Sequence, residues 1–225
     1  MPQYDRSASH TLVAVPLVGN LGSPKRTRAA GIVVALLVAL VFCSALPALA
    51  LAAPRGHAAG LRDGCANTSV LATSASAQTM RNAVVCLVNY ERARYHLPPL
   101  TQVSKLTASA QSYTAEMVRD NLVSHTAPSG STPGARITAA GYRWSWAGEN
   151  IASGFTTPLS VVSAWMLSQG HCYNILAPVF SNIGVGVSPH AAATASGPAT
   201  WTQDFGLPLG AHAPSGNWGP ADSCH

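Results

Sequence analysis

Residues 168–176 read SQGHCYNIL, with the imidazole of His171 directly before the thiol of Cys172. A cysteine thiolate with a nearby histidine base is a nucleophile. A neutral imidazole is also the commonest metal ligand. The competing reading is scaffolding, in which the thiol closes a disulfide and the imidazole packs at a helix end. No H-E-x-x-H and no G-x-S-x-G occurs anywhere in the chain, so two familiar hydrolase signatures are absent. Adjacent side chains diverge, so His171 is poorly placed to serve Cys172 as its base.

The redox setting bears on the thiol. Lys25, Arg26 and Arg28 precede a long apolar run that Pro47 interrupts, and Ala48-Leu49-Ala50 follows. Cationic residues, an apolar segment and a small-residue cleavage pattern are the order of a secretory signal peptide. Residues 1–50 are therefore expected to be a leader with a long n-region, and the mature chain to begin near Leu51. Residues 31–53 are also long enough to anchor the chain in a membrane, which is the alternative. Cys43 lacks the small residues before it that a lipoprotein signal needs and is read as leader. Outside the cytoplasm the remaining Cys65, Cys86, Cys172 and Cys224 are expected in disulfides. Four cysteines allow three connectivities. The pairing expected is Cys65 with Cys86 and Cys172 with Cys224.

Composition narrows the function classes. Charged residues are only 9% of the 225 and the apolar set is 48%, which excludes a disordered chain. The formal charge of +5 is concentrated in the leader, and without residues 1–50 it falls to +2. No basic stripe interleaved with aromatics remains, so nucleic acid is not expected as a partner.

The elements that must position the chemistry follow from periodicity. Residues 51–79 are rich in Ala, Ser, Thr and Gly and read as a linker held at Cys65. Met80, Val84, Leu87 and Val88 share one helix face, and Pro98 and Pro99 end that helix. Leu106, Ala110, Tyr113 and Met117 line a second helix, with Ser104 as its expected N-cap. A short helix is expected over residues 135–141. Gly148 and Gly154 then bracket a short extended piece. Thr157 caps a further helix with Pro158 at its first position and Val161, Val162, Trp165 and Met166 on its apolar side. Ile183, Val185 and Val187 alternate in one strand, and Trp201 and Phe205 in another. Helices precede the strand pair, so the pattern argues α+β, with helices covering an antiparallel sheet.

GENIASG, WMLSQGHCYNIL, NIGVGV and WTQDFG, in that order and spacing, resemble the CAP superfamily of cysteine-rich secretory, antigen 5 and pathogenesis-related proteins, in its bacterial secreted branch. CLVNYERARYHLPPL and the pair Ser124-His125 match it too, and the resemblance spans residues 80–206, with 207–225 as a tail. It implies an α-β-α sandwich with a central antiparallel sheet flanked by helices. It also implies a cleft with two histidines and two acids that holds a divalent cation in several members. His125, Glu149 and His171 match three of these positions. The second acid falls at Ser168, which leaves three groups. Cys172 stands where many bacterial members carry Arg.

Two imidazoles and a carboxylate suit zinc or another divalent cation, and the same trio could move a proton. Asn150 is expected to line the cleft, and Asn150 and Asn174 to satisfy buried backbone groups. Tyr142, Trp144 and Trp146 form either an aromatic rim or ordinary packing, with packing favoured. The reading that results is a secreted, monomeric binding module for a small molecule, lipid or cell-surface ligand. A secreted hydrolase using the His/Glu cleft and a membrane-anchored structural domain are the alternatives.

Overall fold

The computed structural model describes residues 12–13, 64–193, 195, 197–213 and 223–224, which all belong to one compact unit. The leader, its cleavage site and the alternative anchor at 31–53 otherwise lie outside the described residues. Among the described residues no helix is long and apolar enough to cross a membrane.

The elements in chain order are β1 (Leu12–Val13), α1 (Ala77–Arg94), β2 (Thr101–Gln102), α2 (Ser104–Arg119), α3 (Pro133–Ala139), β3 (Trp144–Ser153), α4 (Pro158–Met166), α5 (Gln169–Leu176), β4 (Asn182–Ser188) and β5 (Thr200–Pro208). The sheet order is β1-β3-β5-β4-β2. β3, β5 and β4 form its antiparallel centre, and the two-residue strands β1 and β2 add a parallel rung at each edge.

Side chains alternate across a strand, and the two faces of this sheet are unlike. Ile183, Val185, Val187, Trp201 and Phe205 point into the main apolar core, shared with Met80, Val84, Leu87 and Val88 of α1 and with Val161, Val162 and Trp165 of α4. α5 joins that layer through Cys172, Ile175 and Leu176. The other face meets α2, where Tyr113 and Met117 pack on Ile151. The fold is thus an α-β-α sandwich about a central antiparallel sheet.

β4 explains how closely α2 can lie. A Cβ at Gly184 would stand 2.1 Å from the Leu106 carbonyl carbon, and one at Gly186 would stand 2.3 Å from the Ala110 oxygen. The glycines of NIGVGV bring helix backbone onto strand backbone.

Several boundaries differ from the periodicity. Val103, not Ser104, occupies the N-cap of α2, and its side chain makes no capping bond. α3 begins at Pro133 behind a Thr132 cap, two residues before the expected start. The extended piece at Gly148 is part of a ten-residue strand, β3. Gly148 does not end it, because the glycine makes room for the Phe180 ring, 2.9 Å from where a Cβ would sit. Thr157 and Pro158 start α4 as expected, with Ser160 completing a capping box. Part of the expected linker packs on the domain: Ala72 and Thr68 are buried and bond through their backbones to Thr156 and Leu159.

Candidate functional site

β3 carries Glu149 and Asn150 side by side, so they face opposite sides of the sheet. Glu149 faces α2 and α3. Its Oε1 lies 2.6 Å from His125 Nδ1, and its Oε2 accepts from Arg136 Nη2 at 2.7 Å. His125 and Glu149 are each only 2% exposed. An ionised carboxylate can only accept, so in this pair His125 donates through Nδ1–H. Its Nε2 is buried and has no hydrogen-bond partner among the described residues.

Arg136 comes from α3, which is held down by buried Pro133 and Ile137. Its Nη2 also donates to the His125 carbonyl at 3.0 Å, and its Nη1 donates to the Ser131 carbonyl at 2.8 Å. The guanidinium sits 3.2 Å from the centre of the Tyr113 ring, a cation–π arrangement. Tyr113 in turn donates its hydroxyl to the Ser124 carbonyl. Burial pushes the Tyr113 hydroxyl up to about 12, against the pull of Arg136, so it stays a donor.

A second acid lies in this layer. Asp204 of β5 is the register partner of Glu149 and is 1% exposed. Burial first, then the charge of Glu149, holds its carboxyl well above the usual range, while Ser109 and Arg136 pull the other way. Oδ1 of Asp204 is buried without a hydrogen-bond partner among the described residues.

On the opposite face Asn150 donates to the His171 carbonyl and to Gln203 Oε1, each at 3.1 Å. Asn174 donates to the Glu149 carbonyl at 3.1 Å and to Asn150 Oδ1 at 2.8 Å. Both asparagines therefore serve buried backbone carbonyls. His171, in the first turn of α5, is fully buried, and its Nδ1 lies 2.9 Å from Ser168 Oγ. Ser168 is half-buried.

Cys172 points into the apolar core and is bonded to Cys224, and Cys65 is bonded to Cys86. No thiol is left in this region for nucleophilic chemistry. Trp144 packs beside Ile137 and Tyr142 and donates to Thr138 Oγ1 at 3.0 Å, and Trp146 packs on the main core. The aromatics are packing.

The structure therefore joins His125 to Glu149. Among the described residues no three His, Cys, Asp or Glu side chains are grouped so that they could hold a metal ion. The trio does not fit a shared divalent ion as it stands. Both Glu149 oxygens are engaged, one by a cation. A divalent ion about 4 Å from the guanidinium would meet roughly 8 kcal/mol of repulsion at an effective dielectric of about 20. Two surface grooves, of about 460 and 400 Å³, are lined respectively by residues such as Arg81 and Gln111 and by residues such as Lys105 and Tyr142. Neither is lined by His125, Glu149 or His171.

Sequence reasoning missed Arg136 and Asp204 and gave Tyr113 only a packing role. The available signals were small. Arg136 is a lone cation in a short helix, and Asp204 alternates onto the face opposite Trp201 and Phe205.

A three-layer sandwich with a buried histidine–acid pair on the GEN segment of β3 fits the class of CAP domains that the sequence resembles. Residues 85–205 match the cysteine-rich secretory protein family, and the chain belongs to that family. It is 40% identical over 139 residues to YkwD of Bacillus subtilis (strain 168), which is described as uncharacterized. That match covers 62% of this chain and 51% of YkwD, so the chain spans about half the length of this curated relative. An extracellular SCP-domain protein from Bacillus anthracis has a similar fold, with TM-score 0.51 and 26% identity over 59% of this chain and 44% of that one. An outer surface protein of Borrelia burgdorferi matches at TM-score 0.47 and 23% identity, over 54% of this chain and 86% of that one.

Proposed function

We propose that the chain is exported and works outside the cell as a binding domain, with the Ser168–His171 end of α5 as its contact for a small polar ligand. The observation that carries this reading is the exposure gradient. His125, Glu149 and His171 are buried, while Ser168, hydrogen-bonded to His171, is half-exposed at the N-cap of α5. Ser168 makes no capping bond to its own helix, so its hydroxyl is not taken up by the first N–H groups of α5. Export is supported by the leader pattern of residues 25–53 and by two disulfides.

Native mass spectrometry with elemental analysis of the protein from culture medium is the test. The expected result is a chain beginning near Leu51 that carries a non-covalent mass, which Ser168→Ala or His171→Ala removes. A bare polypeptide mass from the medium defeats the binding reading. A full-length chain found only in membranes defeats export.

The Ser168–His171 hydrogen bond also favours a second reading, a serine hydrolase. There His171 Nδ1 would take the hydroxyl proton as Ser168 Oγ adds to a carbonyl carbon, whose π pair moves onto its oxygen, and would give that proton to the leaving group as the oxyanion collapses to an acyl-enzyme. Covalent labelling by a fluorophosphonate probe, lost in Ser168→Ala, selects it. An unlabelled wild type rejects it.

A further inference from the structure

We infer that Arg136 supplies, as a built-in side chain, the positive charge at Glu149 that a bound metal ion would otherwise supply. The polar centre of this chain is therefore closed to divalent cations at Glu149.

Four observations carry the inference. Arg136 Nη2 lies 2.7 Å from Glu149 Oε2, and its side chain is only 9% exposed. The guanidinium is fixed from several directions, by the Ser131 and His125 carbonyls and by the Tyr113 ring. A cation held this way is not easily swung aside. Glu149 is fixed as well, in mid-strand, with its other oxygen on His125. No group of three potential ligands surrounds it among the described residues.

The charges then close locally. Arg136 neutralises Glu149, and Glu149 orients His125 by accepting its Nδ1 proton. A carboxylate behind a histidine is the partner that usually sits outside a metal ligand. Here Glu149 keeps that orienting role, and its remaining oxygen is given to an arginine. Position 168 fits the same account. With the positive charge supplied once, a second ionised acid has no cation to balance, and Ser168 stands there as a neutral group.

Calorimetric titration of zinc chloride into the disulfide-intact protein at neutral pH tests the inference. The wild type is expected to show no saturable binding that depends on Glu149. Arg136→Gln frees Glu149 Oε2 and removes the competing charge, so zinc affinity should rise at least tenfold. Adding Glu149→Gln to that variant should abolish the gain. One equivalent of zinc bound by the wild type and lost in Glu149→Gln overturns the inference. So does a folded Arg136→Gln protein that takes no zinc. If Arg136→Gln does not fold by circular dichroism, manganese added to the wild type decides. The amide signals of His125 and Glu149 should keep their line widths, and selective broadening of both refutes the assignment.

Discussion

Arg136 pairs with Glu149 and only its charge reaches Asp204, so two ionised carboxyls would leave a buried negative charge in excess. Burial and Glu149 resolve this by raising the Asp204 pKa. The unfolded chain gives up that proton near the ordinary aspartate value of about 3.9, while the native protein keeps it. The native state therefore binds more protons above that value, and stability falls as pH rises toward the native pKa. Asp204→Asn should remove the decline and make the variant more stable than the wild type at neutral pH. Urea unfolding at pH 5 and pH 7.5 measures both effects. A wild type whose stability rises between those values contradicts the assignment. Little of this was legible in the sequence. His125 and Glu149 came from ordered motifs, but the partners that define them did not. Arg136 meets a tyrosine and a glutamate 23 and 13 positions away, through a loop with no periodicity to read.

Arg92 shows the same limit at the level of elements. It lies in the last turn of α1 and is 1% exposed. Its guanidinium donates to the carbonyls of Ile175 and Ala177 at the end of α5, of Phe180 beyond it, and of Pro98. The last carbonyls of a helix need such donors. Burial lowers its pKa to about 10, so it remains charged through neutral pH. Arg92→Met would keep the packing and orphan these carbonyls. A loss of about 3–5 kcal/mol is expected, read from chemical denaturation, and a loss below about 1 kcal/mol would refute the capping role. The apolar stripes of α1 and α2 and the Thr157–Pro158 start of α4 were legible because each is a local signal. The length of β3 was not, because Gly148 looks like a breaker until Phe180 is seen filling its place. The separation of α5 from α4 at Leu167–Ser168 likewise has no Pro or Gly to mark it.

For the molecule as a whole, the disulfides are the largest covalent constraints. Cys65–Cys86 closes 21 residues and Cys172–Cys224 closes 52, worth about 3 and 4 kcal/mol in the chain-entropy account. The double variant Cys172→Ser, Cys224→Ser should lose about 4 kcal/mol, while the His125–Glu149 pair, on the other face of the sheet, keeps its NMR signature. Loss of that signature in the folded variant would place the bridge in the polar centre after all. α2 answers to a different control. Its height above the sheet is set by two missing methyl groups at Gly184 and Gly186, and α2 carries Tyr113, on which Arg136 rests. Gly184→Ala would press on the backbone at Leu106, cost about 1–3 kcal/mol as overpacking, and move the Tyr113 ring resonances. Unchanged ring resonances would show that the strand yields instead. The spacing of β4 thus works as a gauge block for the polar centre. A mutational scan that scores sites by loss of folded protein should flag position 184 beside His125, although residue 184 has no side chain with which to join the polar cluster.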